Sequence, residues 1–157
     1  MKLTQSLEDY LETILMVSKE KSSVRVKNIA TSLKVKTSSV VSALKTLSNK
    51  GFVNHEHYGY IELTEKGQKT ARDIARRHKI LSSFLSYVLI LPDDLSERDA
   101  CTIEHHLSGK TVDRLISLME FISLCPKDKP LWLTNLHSYI ESKKTPKCCD
   151  ACEWRMK

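Results

Sequence analysis

The chain has 157 residues, 41% of them hydrophobic, with 25 Lys+Arg against 19 Asp+Glu and a formal net charge of +6. That apolar fraction excludes a disordered chain, and no run approaches the roughly 18 uninterrupted apolar residues of a membrane helix. The opening residues, MKLTQSLEDY, lack an apolar signal core, which predicts a cytoplasmic protein. The charge is also uneven along the chain. Residues 1–79 hold 15 Lys+Arg and 8 Asp+Glu, whereas residues 80–157 hold 10 and 11. A basic first half suggests a polyanionic partner, most often nucleic acid, although plain solubility is the bland alternative.

Ser6 followed by Asp9 reads as a capping box that opens a helix. Leu7, Tyr10, Leu11, Ile14 and Leu15 then give it a buried face at helical spacing. The polar run from Ser18 to Ser23 ends this helix, and Val24-Arg25-Val26 reads as a short extended segment. Asn28 to Leu33 forms a short helix, Lys34-Val35-Lys36 a turn, and Thr37 a cap for the next helix, whose apolar face is Val40, Leu44 and Leu47. Gly51 stops that helix. Two short helices joined by a tight turn make a helix-turn-helix. Two β-prone runs follow at once, Phe52 to Glu56 and Tyr60 to Leu63, with His57, Tyr58 and Gly59 as a hairpin tip.

Helix-turn-helix followed by a hairpin is a winged helix, a specific signal because three elements must occur in order. Its exposed second helix carries Lys36, Thr37, Ser38, Ser39, Ser42 and Lys45, and the wing tip carries His57 and Tyr58. Small hydroxyl residues let a backbone approach phosphates and base edges, and lysines add salt-dependent attraction. These residues are therefore the predicted contacts to double-stranded DNA, against the alternative of a merely solvated helix face.

From Glu65 to about Leu89 the pattern is one long helix, with Ala71, Ile74, Ala75, His78, Leu81, Leu85 and Val88 as its buried stripe. Pro92-Asp93-Asp94 breaks it, and Ser96 with Asp99 reads as a second capping box opening a helix to Leu107. A further helix carries Val112, Leu115, Ile116, Met119 and Ile122, and a last one runs from Pro130 to about Lys143. These amphipathic helices bring more apolar surface than one small lobe can bury, which predicts a homodimer interface. The expected fold is mainly α: a winged-helix DNA-binding domain over residues 1–64, a helical domain over 65–143 entered through the linking helix 65–89, and a Cys-rich tail over 144–157.

Cys101, Glu104 and His105 stand at i, i+3 and i+4, a spacing that puts a thiol, a carboxylate and an imidazole on one helical face. Such a set can ligate a metal. Asp9 and Glu12 again pair two carboxylates at i and i+3. Taken singly, each has a plain reading: Asp9 a capping acid, Glu12 a surface charge, Cys101 a small buried hydrophobe, His78 a core histidine. The five Cys form an odd count without a signal peptide, which argues against a disulfide framework. Cys125, Cys148, Cys149 and Cys152 read either as a Zn(II) or redox site or as a plain reduced tail.

Taken together, these stretches resemble the iron- and manganese-dependent repressors, the family of the diphtheria toxin repressor and the manganese transport regulator. The resemblance rests on SLEDYLETI, TSSVVSALKTL, LTEKGQ, ARRHKIL and TIEHHLS and covers roughly residues 3–124. It implies that the helical domain both dimerises and binds metal, with Asp9, Glu12, His78, Cys101, Glu104 and His105 as ligands. Asp9 and Glu12 match the manganese-type members, whereas Cys101 stands where those members have Glu and the iron type has Cys. The site is thus a hybrid. The iron type also places a Glu one turn after the long-helix His, where this chain has Ser82. Carboxylates suit Mn(II) and Fe(II), and a thiolate tilts the set toward Fe(II), Co(II) or Zn(II). The expectation is Fe(II) first and Mn(II) close behind, with Co(II), Ni(II) and Zn(II) accepted in vitro.

The implied function is a metal-gated repressor of palindromic operator DNA that controls metal homeostasis, with no catalysis and no small-molecule substrate. The ion would tie the first helix to the dimer module and hold two heads at operator spacing. The alternative is a winged-helix repressor that senses oxidants or an iron–sulfur cluster through its cysteines, which leaves Asp9, Glu12, His78 and Glu104 unexplained.

Overall fold

Apolar residues recurring every three to four positions drive the first helix. Leu11 and Ile14 are fully enclosed and Leu15 nearly so, which makes the inner face of α1 (Gln5–Glu20) a wall of the first core. The computed structural model describes residues 3–55, 59–125 and 129–143. The chain divides into two units, Met1–Arg77 and His78–Lys157.

In the first unit, α2 (Val26–Leu33) and α3 (Thr37–Asn49) follow α1 and pack Ile29, Val40, Leu44 and Leu47 into the same core. Lys34 takes the left-handed conformation at the end of α2, with φ 55°, and turns the chain into α3. Gly51, at φ 74°, does the same past α3, where a side chain is disfavoured. Strands β1 (Val53–His55) and β2 (Ile61–Leu63) pair antiparallel, Val53 opposite Leu63 and His55 opposite Ile61. Val24 adds an isolated bridge to Ile61, so the segment before α2 lies along the wing. The expected winged helix-turn-helix is present, and its predicted tip residues His57 and Tyr58 lie outside the described residues.

The LTEKGQ segment acts as a clasp between the wing and α4 (Glu65–Ser83). The Thr64 hydroxyl donates to the Gly51 carbonyl at 2.8 Å and accepts the Gly67 amide at 3.1 Å, so it caps α4 while holding the end of α3. The Thr64 amide donates to the Phe52 carbonyl at 3.0 Å. Lys66 donates to the Lys50 carbonyl at 2.8 Å and lies 4.1 Å from the Phe52 ring centroid.

In the second unit the long helix does not stay α-helical to Leu89. It changes at Phe84 into a π-helical turn, Phe84–Val88, and Ile90 then takes the left-handed conformation with φ 49°. A single wide turn of this kind rotates the following residues relative to α-helical spacing. Leu85 and Val88 remain buried nonetheless. Helices α5 (Asp93–Ile103), α6 (Gly109–Ser123) and α7 (Leu131–Ser142) complete the unit. Two small cores result. Leu81, Leu85 and Ala100 form one, and Val88, Ile122 and Leu133 form the other.

Both expected capping boxes are corrected. Helix α1 starts at Gln5 with Thr4 as its cap residue and no side-chain cap bond, so Ser6 already lies inside the first turn. Helix α5 starts at Asp93 behind Pro92, and Ser96 is buried within it, donating to the Leu91 carbonyl at 3.4 Å. A hydroxyl residue three positions before an acid fits the helix interior as well as its start. Ser108 caps α6, accepting the Thr111 amide at 3.2 Å.

A Cβ built on Gly67 would stand 2.0 Å from the Phe52 carbonyl oxygen. Gly67→Ala is therefore expected to destabilise the chain by about 2–3 kcal/mol in urea titrations. Lys66→Ala serves as the mild comparison, and equal stability of Gly67→Ala and wild type would show that the clasp yields.

Candidate metal centre and nucleic-acid interface

Helix α5 ends at Ile103, and the residues expected to bind metal lie at and just beyond that end. Glu104 is the C-cap and keeps helical angles, with φ −58° and ψ −34°, and its amide donates to the Ala100 carbonyl. His105 lies in the turn that follows. The helix proper thus ends before Glu104 and His105, although Glu104 still continues its backbone geometry. Glu104 and His105 turn inward, with side chains 0% and 3% exposed, whereas Cys101 is exposed.

The Glu104 carboxylate stands between two imidazoles. His78 Nδ1 is 3.2 Å from Glu104 Oε2, and His105 Nε2 is 3.2 Å from Glu104 Oε1. Among the described residues neither Glu104 oxygen accepts a hydrogen bond of good geometry. A buried carboxylate in that state is costly unless a cation or proton compensates it. An oxygen donor flanked by two nitrogens is also a donor set that divalent transition ions accept. The residues present therefore fit a metal ion. The fit is one of donor chemistry and not of finished geometry, because among the described residues no group of three or more His, Cys, Asp and Glu side chains is arranged so that it could hold a metal ion.

The other ring nitrogen of His78 has its own partner. His78 Nε2 is 2.7 Å from Glu97 Oε2, and the Ser82 hydroxyl donates to Glu97 Oε1 at 2.5 Å. The Ser82 bond first and the His78 bond second hold the Glu97 carboxyl below its ordinary value, against an opposing desolvation effect. Glu97 was missed by sequence reasoning, although a signal was present. Residues 97, 101, 104 and 105 stand on one helical stripe, four, seven and eight positions from Glu97. Asp9 and Glu12 are half-buried on α1 of the first unit, and each has a polar interaction. Cys125 is half-buried. Cys148, Cys149 and Cys152 lie outside the described residues.

On the first unit, Lys36, Thr37, Ser38, Ser39, Ser42 and Lys45 are all exposed along α3, as the spacing predicts. Two features were not anticipated. Val41 is 49% exposed in the middle of the same face. At the wing base, Arg25 lies 5.2 Å from the Tyr60 ring centroid and donates to its hydroxyl at 3.4 Å. A shallow hydroxyl-rich groove is lined by Thr4, Ser6, Ser38, Ser39, Ser42 and Thr46.

A winged helix carrying a basic, hydroxyl-rich second helix, followed by helices that bury an imidazole–carboxylate cluster, defines a metal-dependent DNA-binding regulator. The chain belongs to the iron-dependent repressor family. The family's N-terminal DNA-binding domain matches residues 2–61, and its metal-binding and dimerisation domain matches residues 64–133. An uncharacterised helix-turn-helix transcriptional regulator of Methanocaldococcus jannaschii is 39% identical over 119 residues, covering 75% of this chain and 95% of that one. The transcriptional regulator MntR of Bacillus subtilis is 36% identical over 118 residues, covering 75% and 82%. A manganese-dependent transcriptional repressor in complex with manganese superposes with a TM-score of 0.68 at 28% identity over 73% of this chain. The chain spans about half of that protein, 53% of its length. IdeR of T. acidophilum superposes at 0.66 with 26% identity, over 83% and 60%. The redox or cluster-sensing alternative finds no support here: the family is one of metal-dependent repressors, and neither Cys101 nor Cys125 is in a disulfide.

Glu104→Leu replaces the buried carboxylate by an apolar group of similar size. In chelator it is expected to raise stability by about 1 kcal/mol, because an uncompensated charge is removed. Added Mn(II) should then raise the wild-type melting temperature and not that of the variant. A metal-induced shift of equal size in both would remove Glu104 from the site.

Proposed function

We propose that this chain is a cytoplasmic repressor that binds a palindromic DNA operator as a homodimer when Fe(II) or Mn(II) is bound, and so controls metal homeostasis. The observation that carries the proposal is the buried Glu104 carboxylate between His78 and His105, in a chain that also carries a winged helix. These three residues would hold the ion, with Asp9, Glu12 and Cys101 as the further ligands that match the family pattern. The bound ion supplies positive charge where the protein buries negative charge. It need only favour the DNA-competent state for linkage to make it a corepressor.

Homodimerisation is supported by Phe121, Leu124 and Leu131, which are 63%, 80% and 74% exposed around the ends of α6 and α7. Large apolar side chains gathered on a surface mark an interaction site. DNA contacts would come from Lys36, Thr37, Ser38, Ser39, Ser42 and Lys45, with His57 and Tyr58 from the wing. The mixed oxygen, nitrogen and sulfur set favours Fe(II), with Mn(II) close behind and Co(II), Ni(II) and Zn(II) accepted in vitro. For Cys125, Cys148, Cys149 and Cys152 both readings stay open, a plain reduced tail or a separate Zn(II) or redox site, and zinc content after deletion of residues 146–157 decides between them.

Anaerobic gel shifts against Fe(II), Mn(II), Co(II) and Zn(II) test the switch. Operator affinity should rise at least tenfold over chelator, and equal affinity in both would sink the proposal. In the same assay Cys101→Glu is expected to shift the Fe(II)-to-Mn(II) ratio of activation toward Mn(II). An unchanged ratio would show that Cys101 is not a ligand. Lys36→Ala and Lys45→Ala should each weaken binding on all sequences alike and lower the slope of log affinity against log salt by about 1. Unchanged slopes would place the DNA elsewhere.

A further inference from the structure

His78 faces two carboxylates with its two ring nitrogens, and only one of them belongs to the family's expected ligand set. Nδ1 is 3.2 Å from Glu104, while Nε2 is 2.7 Å from Glu97. Glu97 is 60% exposed, yet its carboxylate is not left to rotate in solvent. One oxygen accepts the Ser82 hydroxyl at 2.5 Å and the other faces His78. Ser82 comes from the last turn of α4, one turn beyond His78, and Glu97 comes from α5. The three side chains therefore form a short relay, Ser82 to Glu97 to His78, that ends on the buried Glu104.

We propose that Glu97, held by Ser82, is a positioning residue that keeps the His78 proton on Nε2 and so presents the Nδ1 lone pair to the metal beside Glu104. The inference deepens the proposed metal switch and rests on His78 being a ligand. The physical argument is that of imidazole ligands generally. A neutral imidazole carries one proton, and a carboxylate that accepts it at one nitrogen frees the other to bind a cation, fixes the ring plane and raises its basicity. Glu97 can do this because both its oxygens have hydroxyl or imidazole partners. Ser82 supplies orientation without competing charge.

Ser82, one turn after His78 on α4, offers a hydroxyl on the same side of the helix, and Glu97 on α5 brings the carboxylate that bridges the two. In this arrangement the carboxylate serves the histidine from outside the ion.

The test uses the full chain, first free of metal and then with Mn(II) alone. Two-bond ¹⁵N–¹H spectra of the chelated protein at alkaline pH should report His78 as the Nε2-protonated tautomer. In Glu97→Ala the signals should move to a mixture of tautomers. Mn(II) affinity, read from the electron paramagnetic resonance of the free ion, should fall about 10–100-fold in Glu97→Ala with the number of ions per chain unchanged. Glu97→Gln, whose carbonyl can still accept from Nε2, should recover most of that loss, and Ser82→Ala should show a smaller one.

Glu97→Ala with unchanged tautomer and affinity would overturn the inference. Lost affinity together with a lost ion per chain and no tautomer change would also overturn it, because Glu97 would then be a ligand itself. His78→Ala separates the two levels of the argument. Unaltered Mn(II) binding in that variant would refute His78 as a ligand and so the larger reading, whatever the metal-free spectra show for Glu97.

Discussion

A fully buried carboxylate with an imidazole on each side is the constraint on which the second unit depends. Among the described residues neither Glu104 oxygen accepts a hydrogen bond of good geometry, and its near neighbours are the rings of His78 and His105 at 3.2 Å. Folding therefore encloses a charge whose compensation is supplied from outside the chain, by a proton or by a metal ion. A site that is weakly satisfied by itself and would be strongly satisfied by a bound cation meets the thermodynamic requirement of the proposed sensor. A site that was complete in the absence of metal would have nothing to report.

The winged head was legible from residues 26–63 because its signals are local. Helical spacing set the inner faces of α2 and α3, Gly51 marked the stop, and β-branched and aromatic residues marked the hairpin. The burial of Glu104 and His105 beside His78 was legible in part for a different reason: an imidazole on the otherwise apolar stripe of the long helix and a carboxylate–imidazole pair at helical spacing conflict with burial unless they have partners. What stayed hidden was long-range or geometric. The π-helical turn at Phe84–Val88 has the same apolar spacing as an α-helix would, so nothing in the residues announces it. Cys101 is exposed while Glu104 and His105 are buried, a difference that the shared helical spacing does not announce. Glu97 belongs to none of the motifs in the sequence, and only the approach of α4 to α5 gives it partners. Both capping boxes failed because the motif is short enough to fit inside a helix.

The two units use polarity in opposite ways. Along α3 the polar groups are small, exposed and hydrated, and they gain by exchanging water for a phosphate backbone. Around Glu104 the polar groups are enclosed, and in the proposed switch they would gain by exchanging each other's partial compensation for an ion. The first kind of surface gives affinity that responds to salt, and the second gives affinity that responds to one class of solute. A regulator needs both, and here they are divided between separate stretches of the chain.

Thr64 and Gly67 add a mechanical consequence. The Thr64 hydroxyl bonds both the Gly51 carbonyl and the Gly67 amide, and Gly67 lies too near Phe52 for any side chain. The end of α3, the base of the wing and the first turn of α4 therefore share one fulcrum with almost no play. A displacement of the first turn of α4 within this unit would therefore be felt at once at the end of α3 and at the base of the wing.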